Sequence, residues 1–138
     1  MRRQLGFTLL ELMIVVVIIS ILSALAISSY RSYVVRTHRT DAQRTLLDLA
    51  GRQERFYYSH NAYTDTLADL SGSNTMVGNG QYYTISIPSA SSTDYTITAT
   101  AAGNQRRDDA LCQTLSLERS GTQSSTGSTA NDPKCWGN

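Results

Sequence analysis

Residues 7–27, FTLLELMIVVVIISILSALAI, form an apolar run in which Glu11 is the only charged residue. A helix of about 20 apolar residues crosses a bilayer, because about 30 Å of hydrocarbon is spanned at roughly 1.5 Å per residue. A short basic start that contains Arg2 and Arg3 precedes the run. The sequence therefore predicts an N-terminal helix that inserts into a membrane, with the rest of the chain attached at its C-terminal end.

Three processing routes fit a basic start followed by an apolar run. A secretory signal peptide would be cut near Ala26 and would release a domain that starts at Ile27. A plain single-pass anchor would stay uncut. Neither route gives Glu11 a role, although a carboxylate costs about 2.5 to 3.5 kcal/mol near the centre of a span and less near its end. The third route cuts between Gly6 and Phe7 and keeps the whole helix.

The segment GFTLLELMIVVVIISILSALA consists of the leader's last residue Gly6, then Phe7, three residues, Glu11 and a long apolar run. It resembles the class III leader and N-terminal helix of type IV prepilins. The resemblance implies that a prepilin peptidase cuts after Gly6 and that Phe7 becomes the N-methylated mature N-terminus. It also implies that Glu11 is an intramembrane acid used in filament assembly. Many of these pilins carry Pro where this chain has Ser28, and Ser weakens a helix less than Pro does.

Glu11 has a physical reason to need a second subunit. A carboxylate in hydrocarbon is tolerated only with a partner, and cutting after Gly6 creates an α-amine on Phe7. The ammonium of one subunit could neutralise Glu11 of another. Every other stacking of these apolar helices would leave the acid unpaired, so the pair would fix the axial register; this is a hypothesis about assembly.

Composition limits the remaining chain to one domain without a strong polyelectrolyte partner. The 138 residues carry a net charge of +1, and removal of Arg2 and Arg3 with the leader makes the net charge of the mature chain −1. Cys112 and Cys135 lie outside any C-x-x-C motif and, behind an export signal, are expected to form one disulfide. An oxidised pair places the precursor in the inner membrane with its domain in the periplasm, and the resemblance then places the protein in an extracellular pilus.

The pattern beyond the apolar run predicts an α+β domain. A one-sided apolar stripe through Leu46, Leu49 and Phe56 continues the helix to about residue 58. Alternating residues predict antiparallel strands in a meander, and the residues from 64 to 70 predict a short helix. The expected fold is a long N-terminal helix packed on a three- to four-stranded antiparallel sheet, with a disulfide-bonded C-terminal loop. The predicted strands are 82–87, 95–101 and 114–118.

The predicted division of the chain follows from these features. Residues 1–6 form the leader peptide, residues 7–27 the transmembrane and filament-core helix, and residues 28–138 the globular domain with the C-terminal half of the helix. Tyr57, Tyr58 and Tyr63 are expected to pack the helix against the sheet.

Neither catalysis nor metal binding is predicted. His38 and His60 are the only histidines, neither lies at ligand spacing from a Cys or a paired carboxylate, and both are interpreted as solvated surface. The acidic pairs at 65/69 and 108/109 lack the alternating ligands of a calcium loop. No phosphate-binding glycine loop or nucleophile motif occurs. The chain is therefore predicted to be no enzyme and to need no cofactor.

The predicted function is that of a structural subunit, a major or minor pilin of a type IV pilus. Tyr82-Tyr83-Thr84 and Cys135-Trp136 resemble PilE-type minor pilins most. The implied partners are other pilin subunits, the prepilin peptidase, the inner-membrane assembly platform and, before assembly, the lipid bilayer. A type II secretion pseudopilin is one alternative. DNA uptake is another, less favoured because scattered arginines are more often solvated or salt-bridged. The arginines considered for DNA are Arg31, Arg36, Arg39, Arg44, Arg52, Arg55, Arg106 and Arg107.

Overall fold

The structure is a computed structural model that describes residues 7–70, 76–77 and 81–137. The predicted leader, including Gly6, lies outside the described residues, as do residues 71–75 and 78–80. The chain divides into two compact units, one that ends at Val34 and one that begins at Val35.

Helix α1 runs without interruption from Leu9 to His60. Its N-terminus carries the side-chain cap expected of a Thr, because Thr8 Oγ1 accepts a hydrogen bond of 3.2 Å from the backbone N–H of Glu11. At the other end Asn61 adopts a left-handed conformation (φ 54°) and its N–H donates to the Tyr57 carbonyl. The predicted continuation of the helix well beyond the apolar run is thus confirmed.

The second unit contains a five-stranded antiparallel meander in the order β1-β2-β3-β4-β5. The two-residue edge strand β1 and the 3₁₀ turn Leu67–Leu70 precede the main strands, and the short helix α2 connects β3 with β4. The prediction of a long helix with a three- to four-stranded sheet is confirmed for the main strands, and the short β1 adds a fifth. The bounds are β1 Met76–Val77, β2 Tyr83–Ala90, β3 Tyr95–Ala101, α2 Gly103–Asp108, β4 Thr114–Glu118 and β5 Gln123–Thr126.

Three local predictions differ from the structure. Strand β2 does not stop at Pro88, because a register irregularity between Ser86 and Ser89 accommodates the missing N–H of the proline. Helix α2 lies between the predicted strands 95–101 and 114–118, where no helix was predicted. Strand β5 lies in the Ser/Thr-rich tail, where its pairing with β4 supplies order that composition did not predict.

The core lies between the second half of α1 and the inner face of the sheet. Ala42, Leu46 and Leu49 are buried on the helix, together with the inward residues of the strands. Those inward residues alternate along β2, β3 and β4, which is the period of a half-buried strand. They include Tyr83, Ile85, Ile87, Tyr95, Ile97, Ala99, Leu115 and Leu117.

The predicted aromatic packing is only partly right. Tyr63 is buried, stacks on Tyr57 with ring centroids 4.8 Å apart, and meets Tyr95 edge-on at the same separation. Tyr58 is 88% exposed, so its predicted role in packing the helix on the sheet is wrong. One helical position separates Tyr57 from Tyr58, and the rotation of about 100° per residue points Tyr58 away from the sheet.

Candidate functional site

The apolar part of α1 is the largest exposed hydrophobic surface in the described chain. Every side chain from Phe7 to Ile27 is exposed, and this is the one helix of the described residues that is long and apolar enough to cross a membrane. Ser20 does not interrupt the band, because its hydroxyl donates to the Val16 carbonyl at 2.7 Å. A contiguous apolar surface of this size marks an interface with lipid or with other protein chains.

Glu11 is the single acidic residue in this surface. Its backbone N–H is used by the Thr8 cap, and no ion pair joins its carboxylate within residues 7–70, 76–77 and 81–137. Phe7, the predicted mature N-terminus, is 87% exposed. The structure therefore places both residues where another molecule can reach them, while Gly6 lies outside the described residues.

The C-terminal tail is fastened to the sheet by the predicted disulfide. Cys112 and Cys135 are both buried and joined, with a Cα–Cα distance of 5.6 Å. The predicted cystine is thus confirmed. Beside it, Trp136 Nε1 donates to the Ser124 carbonyl at 3.0 Å, which ties the last residues to β5. The closed loop is on the order of 24 residues, for which the chain-entropy model gives about 3 kcal/mol of stabilisation.

A buried ion pair connects α1 to the region of the disulfide. The Arg39 guanidinium makes a bidentate contact with Asp109, with Nε–Oδ2 at 2.5 Å and Nη2–Oδ1 at 2.6 Å. The Asp109 side chain is 1% exposed and also accepts a hydrogen bond from the backbone N–H of Cys112 at 3.2 Å. Burial lowers the pKa of Arg39, but the hydrogen bond and charge of Asp109 outweigh it and raise that pKa above its ordinary value.

The other end of the disulfide is held by the same helix. Arg39 Nη1 donates to the carbonyl of Lys134 at 3.0 Å, and Gln43 Nε2 donates to the carbonyl of Cys135 at 2.8 Å. Both half-cystines thus lie next to groups that α1 binds. The pairing of Arg39 with Asp109 was missed by sequence reasoning because 70 positions separate the two residues.

Gln105 is a buried polar residue that lies beside the ion pair and makes several hydrogen bonds. Its amide nitrogen contacts the Tyr83 hydroxyl at 3.2 Å and Asp109 Oδ2 at 3.0 Å. Burial, only partly opposed by the hydrogen bond from Gln105, raises the pKa of Tyr83 to about 12. The tyrosine is therefore neutral at physiological pH.

His38 belongs to this cluster and is not solvated surface as predicted. It is half-buried, its ring stacks on Tyr82 with centroids 3.5 Å apart, and Nδ1 lies 3.0 Å from Gln105 Oε1. The sequence did not predict this contact, because the arginines that flank His38 in the helix indicated an exposed position. His60 is exposed as expected and stacks on Phe56 of its own helix at 4.0 Å.

The acidic residues considered as calcium ligands make contacts with other side chains. Asp109 is bound by Arg39, and Asp69 accepts a hydrogen bond of 2.8 Å from the Thr64 hydroxyl in the turn after α1. In the part of the chain that the structure describes, no three His, Cys, Asp or Glu side chains are placed to hold a metal ion.

The arginines considered for DNA do not form one patch of equivalent charges. Arg39, Arg52 and Arg107 are in salt bridges with Asp109, Asp48 and Asp108 respectively. Arg44 lies 3.5 Å from Asp41 in a solvent-exposed pair. Of the arginines considered for DNA, those that are exposed and have no salt bridge among the described residues are Arg31, Arg36, Arg55 and Arg106.

Two family models match this chain and together cover most of it. Residues 28–116 match the family described as "Type IV minor pilin ComP, DNA uptake sequence receptor". Residues 1–27 match the prokaryotic N-terminal methylation motif.

The individual proteins that resemble this chain are also fimbrial or pilin proteins. The fimbrial protein EcpC of Eikenella corrodens is 36% identical over 118 residues, which are 83% of this chain and 74% of that protein. The type IV major pilin protein PilA of Myxococcus xanthus is 41% identical over 63 residues, 46% of this chain but only 29% of PilA. The crystal structure of the Neisseria meningitidis non-core minor pilin PilV has a TM-score of 0.56 at 21% identity, covering 71% of this chain and 92% of PilV. The likeness to PilV concerns the fold.

Proposed function

The chain belongs to the type IV pilin family and is of the minor pilin type, and from this we propose that it joins a pilus through the exposed apolar face of α1 after cleavage behind Gly6. One observation carries the proposal: every side chain from Phe7 to Ile27 is exposed among the residues that the structure describes. Lipid supplies that partner before assembly, and the helices of other pilin subunits supply it afterwards.

Cleavage after Gly6 would turn Phe7 into a mature N-terminus whose α-amine lies at the start of the helix. Glu11 lies one helical turn further along, since four residues rise about 6 Å. An intramembrane carboxylate is stabilised by a cation, and the N-terminal ammonium of a neighbouring subunit is the cation that assembly would bring. Glu11 thereby sets the axial position of each added subunit.

This assignment gives each segment of the chain a separate role. Residues 1–6 are the leader that the prepilin peptidase removes, residues 7–27 anchor the precursor and then form the filament core, and residues 28–138 form the globular domain. The Cys112–Cys135 disulfide favours a precursor whose domain lies in the periplasm, because cytosolic thiols stay reduced. An inner-membrane assembly platform would then extract the subunit into the pilus, a structural role that involves no catalysis.

The test of processing is the N-terminal residue and mass of the protein recovered from its host. N-methylated Phe7 is the expected result. A mature chain that starts at Ile27 would instead identify a signal peptide and refute the assembly proposal. Recovery in sheared extracellular filaments, rather than only in membranes, separates a pilin from a cell-bound secretion pseudopilin.

The test of register is the substitution Glu11→Gln, which keeps size and helix propensity but removes the charge. We expect processed subunits to accumulate in the membrane while their incorporation into filaments falls at least about tenfold, since the stabilising ion pair is lost. The matched control is Asp48→Asn, which removes an exposed acid from the same helix outside the apolar segment. Filaments that incorporate Glu11→Gln like the wild type would rule out the ion-pair mechanism.

A second candidate function is recognition of DNA. The specific observation in its favour is the match of residues 28–116 to a family described as a DNA uptake sequence receptor. The exposed residues Arg36, Arg55 and Arg106 are candidates for phosphate contacts, because guanidinium groups without a salt bridge can neutralise phosphates. Arg39 is unsuited to this role, since it is committed to Asp109.

Repeated selection from a random-sequence duplex pool tests this candidate, with the full chain held in detergent. A receptor enriches one short sequence and prefers it at constant salt, whereas phosphate attraction alone enriches none. The double substitution Arg55→Ala with Arg106→Ala is expected to weaken binding, and Arg107→Ala, which removes a guanidinium paired with Asp108, serves as control. Absence of an enriched sequence would exclude a sequence receptor without affecting the pilus assignment.

A further inference from the structure

The charged side chains of the second unit are unevenly distributed. One group lies near the part of α1 where this unit begins, and it contains five basic and three acidic side chains, a formal charge of +2. The rest of the unit carries four basic and seven acidic side chains, a formal charge of −3. The near-zero net charge of the chain therefore conceals one positive end. The group consists of Arg36, Arg39, Arg106, Arg107, Lys134, Asp108, Asp109 and Asp132.

Contacts inside the second unit place this group around one short stretch of α1. Gln105 of α2 donates through Nε2 to the Val35 carbonyl at 3.2 Å. Arg39, one turn further along α1, donates through Nη1 to the Lys134 carbonyl at 3.0 Å. Helix α2 and the C-terminal tail therefore lie against the same stretch of α1. The exposed cations at this stretch, called here the basic collar, are Arg36, Arg106 and Lys134.

The fold does not use the charges of the basic collar. The other two basic side chains of the group, Arg39 and Arg107, are paired with acids, whereas no salt bridge joins a collar residue to an acid within residues 7–70, 76–77 and 81–137. Asp132 accepts the backbone N–H of Lys134 at 2.9 Å, as the N-cap of the last turn. The three collar cations are thus available to an anion from outside the chain.

The collar follows the apolar segment closely along the same helix. Helix α1 is continuous, and Val35 comes eight residues after Ile27, which corresponds to a rise of about 12 Å. In the proposed precursor Ile27 ends the membrane-spanning segment, and lipid headgroups extend about 5 to 8 Å beyond the hydrocarbon. The long, flexible side chains of Arg and Lys can cover the remaining distance.

The collar's attachment to this helix favours lipid over nucleic acid as its anionic partner. Both partners offer phosphodiester groups to guanidinium and ammonium groups. A collar that is tethered to the bilayer by α1 meets headgroups at a high effective concentration, whereas nucleic acid must be captured from solution. Anionic headgroups attract basic residues near a membrane surface, by about fivefold in the equilibrium constant for each Lys or Arg.

We propose that the basic collar docks the globular domain on the anionic lipid headgroups of the membrane that holds α1. The inference rests on the proposed insertion of α1 and adds a second contact with the membrane, made by the domain itself. The acidic remainder of the domain is repelled by the same surface, so the positive end faces the lipid. Extraction of α1 into a filament breaks this contact, so anionic lipid retains the subunit in the membrane.

Quenching of Trp136 fluorescence by spin-labelled headgroups in nanodiscs tests the proposal. The full chain is reconstituted in phosphatidylcholine discs with or without phosphatidylglycerol. Trp136 is the only tryptophan and lies two residues from Lys134. We expect stronger quenching in the anionic discs and loss of the difference at high salt, which screens the attraction. Equal quenching in both lipids overturns the proposal, whereas failure of the chain to enter either disc refutes the proposed insertion of α1.

The discriminating variants are Arg106→Gln and Lys134→Gln, since each removes one collar charge that no salt bridge uses. We expect each to lower the ratio of docked to undocked domain in anionic discs about fivefold, and both together about 25-fold, at unchanged melting temperature. The matched control is Arg44→Gln, which removes one exposed charge from α1 outside the collar. An equal loss in the control would reduce the effect to net charge and overturn the proposal.

Duplex DNA of random sequence decides between the two anionic partners. It is added to the anionic discs at a phosphate concentration equal to that of the anionic headgroups. We expect the quenching of Trp136 to persist, because the tether keeps the collar at the lipid. Displacement of the domain from the lipid under these conditions would assign the collar to nucleic acid and overturn the proposal.

Discussion

The two parts of helix α1 use apolar residues in opposite ways. From Phe7 to Ile27 apolar side chains surround the helix and all are exposed, whereas further along Ala42, Leu46 and Leu49 form a stripe that is completely or almost completely buried. Both segments satisfy their backbone hydrogen bonds in the same helix, so secondary structure does not distinguish them. The distribution of apolar residues around the axis does, because an all-round apolar helix needs a partner on every side and a stripe needs only one.

We therefore expect the first segment to contribute to the free energy of assembly and the second to the free energy of folding. Under the proposed function, side chains of the apolar segment gain contacts from lipid or other subunits, so we expect their replacement to alter anchoring and filament formation. Side chains of the stripe gain contacts from the sheet of their own chain, so their replacement alters domain stability. Substitutions in the two segments can test this separation, and Trp136, the only tryptophan, is a fluorescent reporter in the domain.

The largest expected effect on the domain comes from Arg39→Ala. It leaves the Asp109 carboxylate, 1% exposed, without its cation, and removal of one partner from a buried pair costs about 3 to 5 kcal/mol. It also removes the hydrogen bond to the Lys134 carbonyl next to the disulfide. The measurement is denaturant unfolding of the full chain in detergent, followed by Trp136 fluorescence.

Arg44→Ala provides the comparison for this variant. Arg44 lies on the same helix, but its side chain is 75% exposed and its contact with Asp41 is 3.5 Å. We expect a change below about 0.5 kcal/mol, as for other exposed pairs. Equal effects of the two arginine substitutions would contradict the assignment of Arg39 as the link between helix and disulfide region.

A smaller effect is expected for Leu46→Ala, which opens a cavity under the sheet. Leu46 is fully buried, and Leu→Ala substitutions at such sites cost about 3 kcal/mol. Leu22→Ala removes the same atoms from the apolar segment, where the side chain is 60% exposed. It is expected to leave the unfolding midpoint of the domain unchanged and to reduce the yield of filaments. A lower midpoint for Leu22→Ala would mean that the apolar segment also stabilises the domain.

The sequence predicted those parts of the structure that depend on local periodicity. The stripe through Leu46 and Leu49 predicted the buried face of α1, and alternation predicted β2, β3 and β4 to within a few residues. Strand β5 was missed because residues 123–126, QSST, contain no apolar residue and gain order from pairing with β4 and from the nearby disulfide. Order of this kind comes from neighbours in space and leaves no local pattern.

The candidate site divides in the same way. Phe7 and Glu11 were identified from a contiguous motif, and their roles stay a prediction. The cluster of Arg39, Gln105 and Asp109 was missed because Arg39 lies on α1, about 70 positions before the other two residues in the chain. Gln105 lies on α2, and Asp109 lies at the end of that helix. Arg39 had been considered for DNA and Asp109 for calcium, since each charge was assessed without its partner.

The smallest effect, absent at neutral pH, concerns the tyrosines of the buried region. Burial raises the pKa of Tyr83 from about 10 to about 12, and it raises that of Tyr95 to about 12 as well. The folded state therefore holds these protons more tightly than the unfolded state. Their contribution to stability is complete below about pH 10 and is lost as the pH rises to about 12. At about pH 11 the tyrosines of the unfolded state are largely ionised while those of the folded state are largely protonated, so part of this stability is already lost.

Unfolding midpoints measured across this pH range should fall for the wild type and fall less steeply for Tyr83→Phe, which cannot ionise there. The control is Tyr30→Phe, because Tyr30 lies in the first unit of the chain and its side chain is 68% exposed. Removal of its hydroxyl should leave the alkaline slope of the domain as it is. If Tyr30→Phe flattened the slope as much as Tyr83→Phe does, the alkaline loss would not originate in the buried core. The separation between an exposed segment that assembles and a buried one that folds would then fail at the aromatic residues.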